Sequence, residues 1–244
     1  MGLLLAAMAI VAVSGVIFGM TGFGFALISV PPLLLLYEPT TVVALMICIT
    51  IATSGIVMVS GRSELDWRLV FALFPGALLG LAIGTRILQD VDPVALKIVA
   101  GTFVAIYSVA LLAGFQPVGG RNPIAIFAAS LTSGALATST GLSGPPIVML
   151  LSARQMAKDA FRSTITTYFV VIAIASLPLL LASGAVGQSE IVTSLWLSPA
   201  AMVGTFVGNR LVRKMNAAAF RKLTLVLLLV TGLMGIITAA VALL

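Results

Sequence analysis

The charged residues of this chain leave long gaps, and the gaps dictate its solvent. No Asp, Glu, Lys or Arg precedes Glu38. None lies between Glu38 and Arg62, between Arg121 and Arg154, between Arg162 and Glu190, or after Lys222. Each gap is long enough to cross a hydrocarbon layer of roughly 30 Å, which takes about 20 helical residues. The apolar runs lack the alternation of a membrane β-barrel, so helices are the remaining way to satisfy the backbone in lipid. With 61% of 244 residues hydrophobic and 8% charged, the chain carries more apolar surface than a soluble core can use; soluble domains hold about 25% charged residues.

Eight spans are expected: Leu3–Leu36, Thr41–Val59, Leu69–Leu88, Ala95–Ala113, Ile124–Leu151, Phe161–Ala182, Val192–Val212 and Phe220–Leu243. The first and fifth are interrupted. The segments between spans are too short for a soluble domain. The N-terminal run has no Lys or Arg ahead of it, which reads as a permanent first helix rather than a cleaved leader. The fold class is therefore all-α, a polytopic transmembrane bundle.

The chain also repeats itself. Pro75, Gly80, Gly84 and Arg86 recur in register, without a gap, as Pro199, Gly204, Gly208 and Arg210. The following loops align Asp92 with Asn216 and Lys97 with Arg221. Ser14-Gly15 and Thr21-Gly22-Phe23-Gly24 are echoed by Ser133-Gly134 and Thr140-Gly141-Leu142-Ser143. A Pro-Pro pair follows each, Pro31-Pro32 and Pro145-Pro146, at different spacings. Two four-helix repeats are expected, residues 1–120 and 121–244, each with an interrupted first helix.

The net charge of +6 comes from loop residues, as the positive-inside rule expects, and is no sign of nucleic acid. If all eight spans cross, Arg86, Lys97, Arg154, Lys158, Arg162, Arg210, Arg213, Lys214, Arg221 and Lys222 share one side. Arg62, Arg68 and Arg121 share the other. That places the first set in the cytoplasm and both termini outside. If the two interrupted spans are re-entrant hairpins, Arg86 and Lys97 change sides and the repeats become inverted. The charge count leaves both arrangements open.

The two interruptions are the candidate site. Non-helical backbone at membrane depth is tolerated only inside protein or along a wet cavity. Paired broken helices at matching places in two halves point to a transporter binding site. A half-helix that begins within the membrane presents free N–H groups and the positive end of its dipole, which attracts an anion without a buried cation. The expected ligands are Gly22, Gly24, Thr140, Gly141, Ser143 and Gly144, largely through backbone N–H groups. The hydroxyls of Thr21, Ser29, Thr138, Ser139, Thr140 and Ser143 can add to these. Arg162, at the head of span six, is placed to reach the second break. Arg86 and Arg210 end matching helices and serve either as an electrostatic funnel or as membrane anchors. The Gly80/Gly84 and Gly204/Gly208 pairs read as close helix packing. Cys48 stands alone, histidine is absent, and every Asp and Glu falls in a loop. No metal site, cofactor motif or catalytic set is expected, and no residue is assigned a catalytic role.

Gly19-Met-Thr-Gly-Phe-Gly-Phe-Ala-Leu-Ile-Ser-Val-Pro-Pro-Leu33 and the later Thr140-Gly-Leu-Ser-Gly-Pro-Pro146 resemble the TauE/SafE sulfite exporter family, also called the toluene sulfonate uptake permeases. The likeness covers nearly the whole chain. Gly22-Phe-Gly24-Phe stands where many members carry a tighter glycine run. The resemblance implies a multi-pass transporter of the bacterial inner membrane for sulfite, sulfoacetate or other sulfur-containing and organic anions, most naturally an exporter. Its expected partners are that small anion and the lipid bilayer, with a homo-oligomer left open. Two other readings stay open beside it: a membrane assembly factor without its own substrate, and a channel-like anion pore.

Overall fold

The protein is described by a computed structural model over residues 2–60, 64–112 and 120–215. Among these residues all regular structure is helical: α1 (Gly2–Thr21), α2 (Gly24–Leu34), α3 (Pro39–Ser60), α4 (Trp67–Asp90), α5 (Pro93–Leu112), α6 (Pro123–Ser139), α7 (Gly144–Ala153), α8 (Lys158–Ala182) and α9 (Gln188–Val212). Five of these, α1, α3, α4, α8 and α9, are long and apolar enough to cross a membrane. The expected span Phe220–Leu243, the repeat partners Asn216 and Arg221, and Arg62 lie outside the described residues. Spans one and five are each two helices, α1–α2 and α6–α7, as the interruptions predict. α4, α8 and α9 start earlier than the apolar runs because polar first turns carry them past the hydrocarbon. Asp66 caps α4 by accepting from the Leu69 N–H at 3.0 Å.

Two glycine-lined seams hold the bundle. In the first, α4 lies against α6: a Cβ at Gly80 would strike the Leu131 carbonyl and stand 2.8 Å from the Ala135 nitrogen, and one at Gly134 would strike the Ala77 carbonyl. In the second, α1 lies against α9: a Cβ at Gly204 would strike the Ala12 carbonyl, and one at Gly19 the Thr205 carbonyl. Small residues on one face let backbones approach this closely, so packing accounts for the Gly80/Gly84 and Gly204/Gly208 spacing. Each broken helix thus rests on the glycine-bearing helix of the other half of the chain.

The same contacts fix directions. Gly76, Gly80 and Gly84 meet Phe127, Leu131 and Ala135 in that order, so α6 runs alongside α4 in the same sense. Asp66 N–H donates to Thr164 Oγ1 at 3.1 Å, and Gln89 Nε2 to the Ser183 carbonyl at 3.2 Å; α8 shares that sense too. Arg154, just after α7, pairs with Asp66 at 3.8 Å and donates from Nε to the Gly120 carbonyl, just before α6. The chain therefore enters along α6 and returns along α7 to the face it left. In the α1–α9 seam, Gly15 meets Ala201 and Gly19 meets Thr205, so α1 runs with α9. α3 ends beside the end of α9, where Asn209 Nδ2 donates to the Ile56 carbonyl at 3.5 Å. α2 therefore folds back toward the face where α1 began, and the two hairpins enter from opposite faces.

The larger of two apolar clusters among the described residues joins these elements, with Val11, Leu45, Leu73, Leu81, Ile165 and Leu197 fully buried. Phe71, Leu79 and Ile83 on α4 and Leu195, Trp196 and Val203 on α9 are exposed. Such an apolar exterior suits lipid and would be a liability in water.

Candidate functional site at the two helix breaks

Both breaks are built on a threonine followed by a glycine in the left-handed region, Gly22 at φ +83° and Gly141 at φ +78°. That conformation ends a helix at low steric cost only for glycine. At the second break the Thr140 and Leu142 N–H groups both return to the Leu136 carbonyl, at 3.0 and 3.2 Å, closing the end of α6 around the glycine. At the first, the Gly22 N–H donates to the Phe18 carbonyl at 2.7 Å.

Different partners hold each break. Thr166 Oγ1 on α8 donates to the Gly22 carbonyl at 3.3 Å. Arg162, 5% exposed, donates from Nη2 to the Gly19 carbonyl at 2.6 Å and to Asn209 Oδ1 at 3.0 Å, with Asp159 at 3.7 Å from Nη1. A cation on the last-turn carbonyls of α1 meets the negative end of that helix. Arg162 thus serves the first break, not the second as its sequence position suggested. The second break is held from both halves: Ser133 Oγ, on α6 itself, donates to the Ser143 carbonyl at 2.6 Å, and Thr138 Oγ1 donates to the Leu81 carbonyl of α4 at 2.8 Å.

The two loops meet. A Cβ at Gly144 would lie 3.7 Å from the Phe23 carbonyl oxygen and 3.8 Å from Phe169 Cζ. Between them is a cavity of about 40 Å³. The rings of Phe18, Phe23, Phe25 and Phe169 wall it, with Met46 and Ile172; Thr50, Ser143 and Ser176 bring hydroxyls, and Gly141 and Gly144 bring backbone. None of these described lining residues is charged.

The start of α2 and the start of α7 differ from the other helix starts. In α3, α4, α5, α6, α8 and α9 the N-cap carbonyl accepts the first helical N–H, as Val42 to Glu38 at 3.0 Å and Phe161 to Ala157 at 2.8 Å. Neither α2 nor α7 makes that bond among the described residues. In α2, Thr21 Oγ1 takes the Phe23 and Gly24 N–H groups at 3.3 and 3.1 Å, leaving those of Phe25, Ala26 and Leu27. In α7, Pro145 and Pro146 have no N–H to give, so Gly144 and Ile147 supply the donors there. The glycine-proline-proline start therefore offers fewer backbone ligands than a half-helix ordinarily does.

Of the residues singled out in the sequence, Gly141, Ser143 and Gly144 line the cavity. Gly22 and Gly24 shape the first break without lining it. Thr21 spends its oxygen on the α2 cap. Ser29 Oγ donates to the Phe25 carbonyl at 2.7 Å and faces Met46 Sδ at 3.2 Å. Thr138 turns to α4, and Thr140 Oγ1 donates back to Leu136 at 3.0 Å. Arg86 lines a separate pocket of about 380 Å³ with Thr85, Gln89 and Ser183. Arg210 stacks over Phe206 at 4.4 Å, at the opposite face. The lining residues that the sequence did not flag include the four phenylalanines, Met46, Ile172, Thr50 and Ser176. Phe23 and Phe25 flank Gly24 and could have been found from the break itself. Among the described residues no cluster of His, Cys, Asp or Glu could hold a metal ion.

A family model described as "Sulfite exporter TauE/SafE" matches residues 7–235. A similar curated protein is the "Probable inner membrane transporter protein TsaS" of Comamonas testosteroni, 27% identical over 173 residues, 70% of this chain and 72% of that protein. No solved structure matches the chain.

Proposed function

The chain belongs to the TauE/SafE sulfite exporter family, and on that premise we propose that it is an inner-membrane transporter carrying a small sulfur-containing or organic anion through the cavity between its two helix breaks. The observation that carries this reading is the pair of open first turns at α2 and α7 beside that cavity. Unmet N–H groups and the positive ends of two helix dipoles favour an anion there. The hydroxyls of Thr50 and Ser143 make no hydrogen bond among the described residues and can donate to it.

The directions of the hairpins support an inverted arrangement of residues 1–120 and 121–244. In this reading α1–α2 and α6–α7 re-enter from opposite faces, and α3, α4, α5, α8 and α9 cross, with Phe220–Leu243 as the expected sixth crossing. Arg68, Arg121, Arg154, Lys158, Arg162, Arg210, Arg213 and Lys214 then share one face and Arg86 and Lys97 the other, eight against two. Basic residues mark the cytoplasmic side. Among the described helices, acidic residues fall only in first or last turns: Asp90, Asp159 and Glu190. No carboxylate is thus placed mid-span to relay a coupled proton. An inside-negative potential, worth about 2.3 kcal/mol per charge per 100 mV, drives an anion outward by itself.

Proteoliposomes test the proposal. Methanesulfonate and sulfite should leave vesicles faster than from protein-free controls, with saturation and a charge-carrying current. Flux equal to the control overturns it, and flux without saturation supports a pore instead.

A further inference from the structure

We infer that the cavity takes its substrate as a monoanion and excludes dianions, so that sulfite passes as hydrogensulfite. The inference rests on the reading of this cavity as the transport site and narrows its substrate class. It stands on what the walls contain. Apolar side chains supply most of the lining, four phenyl rings, Met46 and Ile172 among them, and no described lining residue carries charge. The buried guanidinium nearby, Arg162, is aimed at the Gly19 carbonyl, Asn209 and Asp159, not into the cavity. Negative charge must therefore be met by hydroxyls and by the two helix starts. A helix N-terminus is equivalent to about half a positive charge, so two of them offset about one negative charge.

The desolvation cost of an ion rises with the square of its charge, whereas its attraction to fixed dipoles rises only in proportion. A second charge therefore loses more to dehydration than these walls return. Ser176 adds to the discrimination. Its hydroxyl hydrogen is committed to the Ala173 carbonyl at 2.8 Å, so at the cavity wall it has lone pairs to offer and no donor. Lone pairs repel a second negative charge and accept the proton of hydrogensulfite. The volume agrees: about 40 Å³ is room for only a few water-sized groups, since one water needs ~10–15 Å³ by this measure.

The test uses the full-length protein in liposomes with the membrane potential clamped to zero and protein-free leakage subtracted. Methanesulfonate, a monoanion throughout, should move at a rate independent of pH and on the order of a hundredfold faster than sulfate. Sulfite flux at fixed total concentration should fall as pH is raised across the second ionisation of sulfurous acid, following the hydrogensulfite fraction. Sulfate moving at a rate comparable to methanesulfonate, or sulfite flux rising with the dianion fraction, overturns the monoanion assignment while leaving transport intact. No flux of either methanesulfonate or sulfite overturns the transport reading beneath it. Thr50→Lys, which places a cation at the wall, should shift the ratio toward sulfate; an unchanged ratio in the folded variant counts against the electrostatic account.

Discussion

Gly144→Ala should separate the role of the break from the stability of the fold. Gly144 opens α7 with an ordinary φ, so alanine is compatible with its backbone. The new Cβ finds Phe23 O at 3.7 Å and Phe169 Cζ at 3.8 Å, both ordinary contacts. Nothing in the fold must move. Reduced freedom of the unfolded chain should leave the variant as stable as the parent, or up to about 1 kcal/mol more so. The methyl group nevertheless enters a cavity of only about 40 Å³. Overpacking by a methylene costs about 1–3 kcal/mol, which here falls on the bound anion and weakens it about fivefold to more than a hundredfold. Gly80→Ala is the counterpart. Its Cβ would strike the Leu131 carbonyl and lie 2.8 Å from the Ala135 nitrogen, forcing α4 and α6 apart, so it should lose at least about 1–3 kcal/mol of stability. Thermal unfolding in detergent, read by size exclusion after heating, reports the fold; methanesulfonate flux in liposomes reports the site. Parental flux in a folded Gly144→Ala refutes the cavity as the transport path. Equal destabilisation by both substitutions refutes the geometry of the break.

Arg162→Met leaves the Gly19 carbonyl and Asn209 without their buried donor and should cost about 3–5 kcal/mol, with Arg162→Lys recovering part of it; parental melting of the Met variant would show that the contact carries no weight. In a Cys48→Ala background, Asp90→Cys should react with a membrane-impermeant maleimide from outside and Arg121→Cys only after permeabilisation. Eight full crossings predict the reverse pattern. Asp66→Asn keeps an α4 cap but loses the partly exposed pair with Arg154, so it should change stability by less than about 1 kcal/mol, and Asp66→Ala should cost about 1 kcal/mol more through the cap. Ser133→Ala frees the Ser143 carbonyl held at 2.6 Å and should cost about 1 kcal/mol while lowering flux, because Ser143 lines the cavity; melting and flux together check it.

The helices were legible because lipid imposes a length and an apolar composition that leave little room for ambiguity. The breaks were legible for a related reason: a Thr-Gly step within an apolar run ends a helix where water cannot repair it, and at the second break Pro145 and Pro146 open the next one, whereas Pro31 and Pro32 lie inside α2 and break nothing. Direction was not. Pro75 through Arg86 and Pro199 through Arg210 match whether the two helices run parallel or opposed, since residue identity carries no sign of orientation. Orientation is carried by contacts distant in sequence, such as Arg154 with Gly120 and Asn209 with Ile56. Arg162 illustrates the same point. Its place four residues into α8 sets how far it reaches, and the fold-back of α1–α2 sets what it reaches.

The walls of the cavity were the least legible part, and the physics of the site explains why. A charged or histidine-bearing site announces itself in an apolar run, because such a residue has a high cost in lipid and must have a reason to be there. A site that binds through backbone N–H groups and phenyl rings uses only what every membrane helix contains. Phe18, Phe25 and Phe169 resemble ordinary core residues, and Phe18 and Phe25 do pack edge to face at 6.1 Å. Thr50 and Ser176 resemble the hydroxyls that bond back to their own helix, as Ser176 does. In the proposed reading the open turns of α2 and α7 make these residues a site, by placing unmet donors beside them. The substitutions that matter most should accordingly be at residues with no reactive group. Phe169→Ala should loosen size selection and admit larger sulfonates, whereas removing the Arg86 or Arg210 charge should leave selectivity for monoanions unchanged. A loss of that selectivity in either arginine variant would place the discriminating charge at the faces of the bundle, and the cavity would then be only a passage.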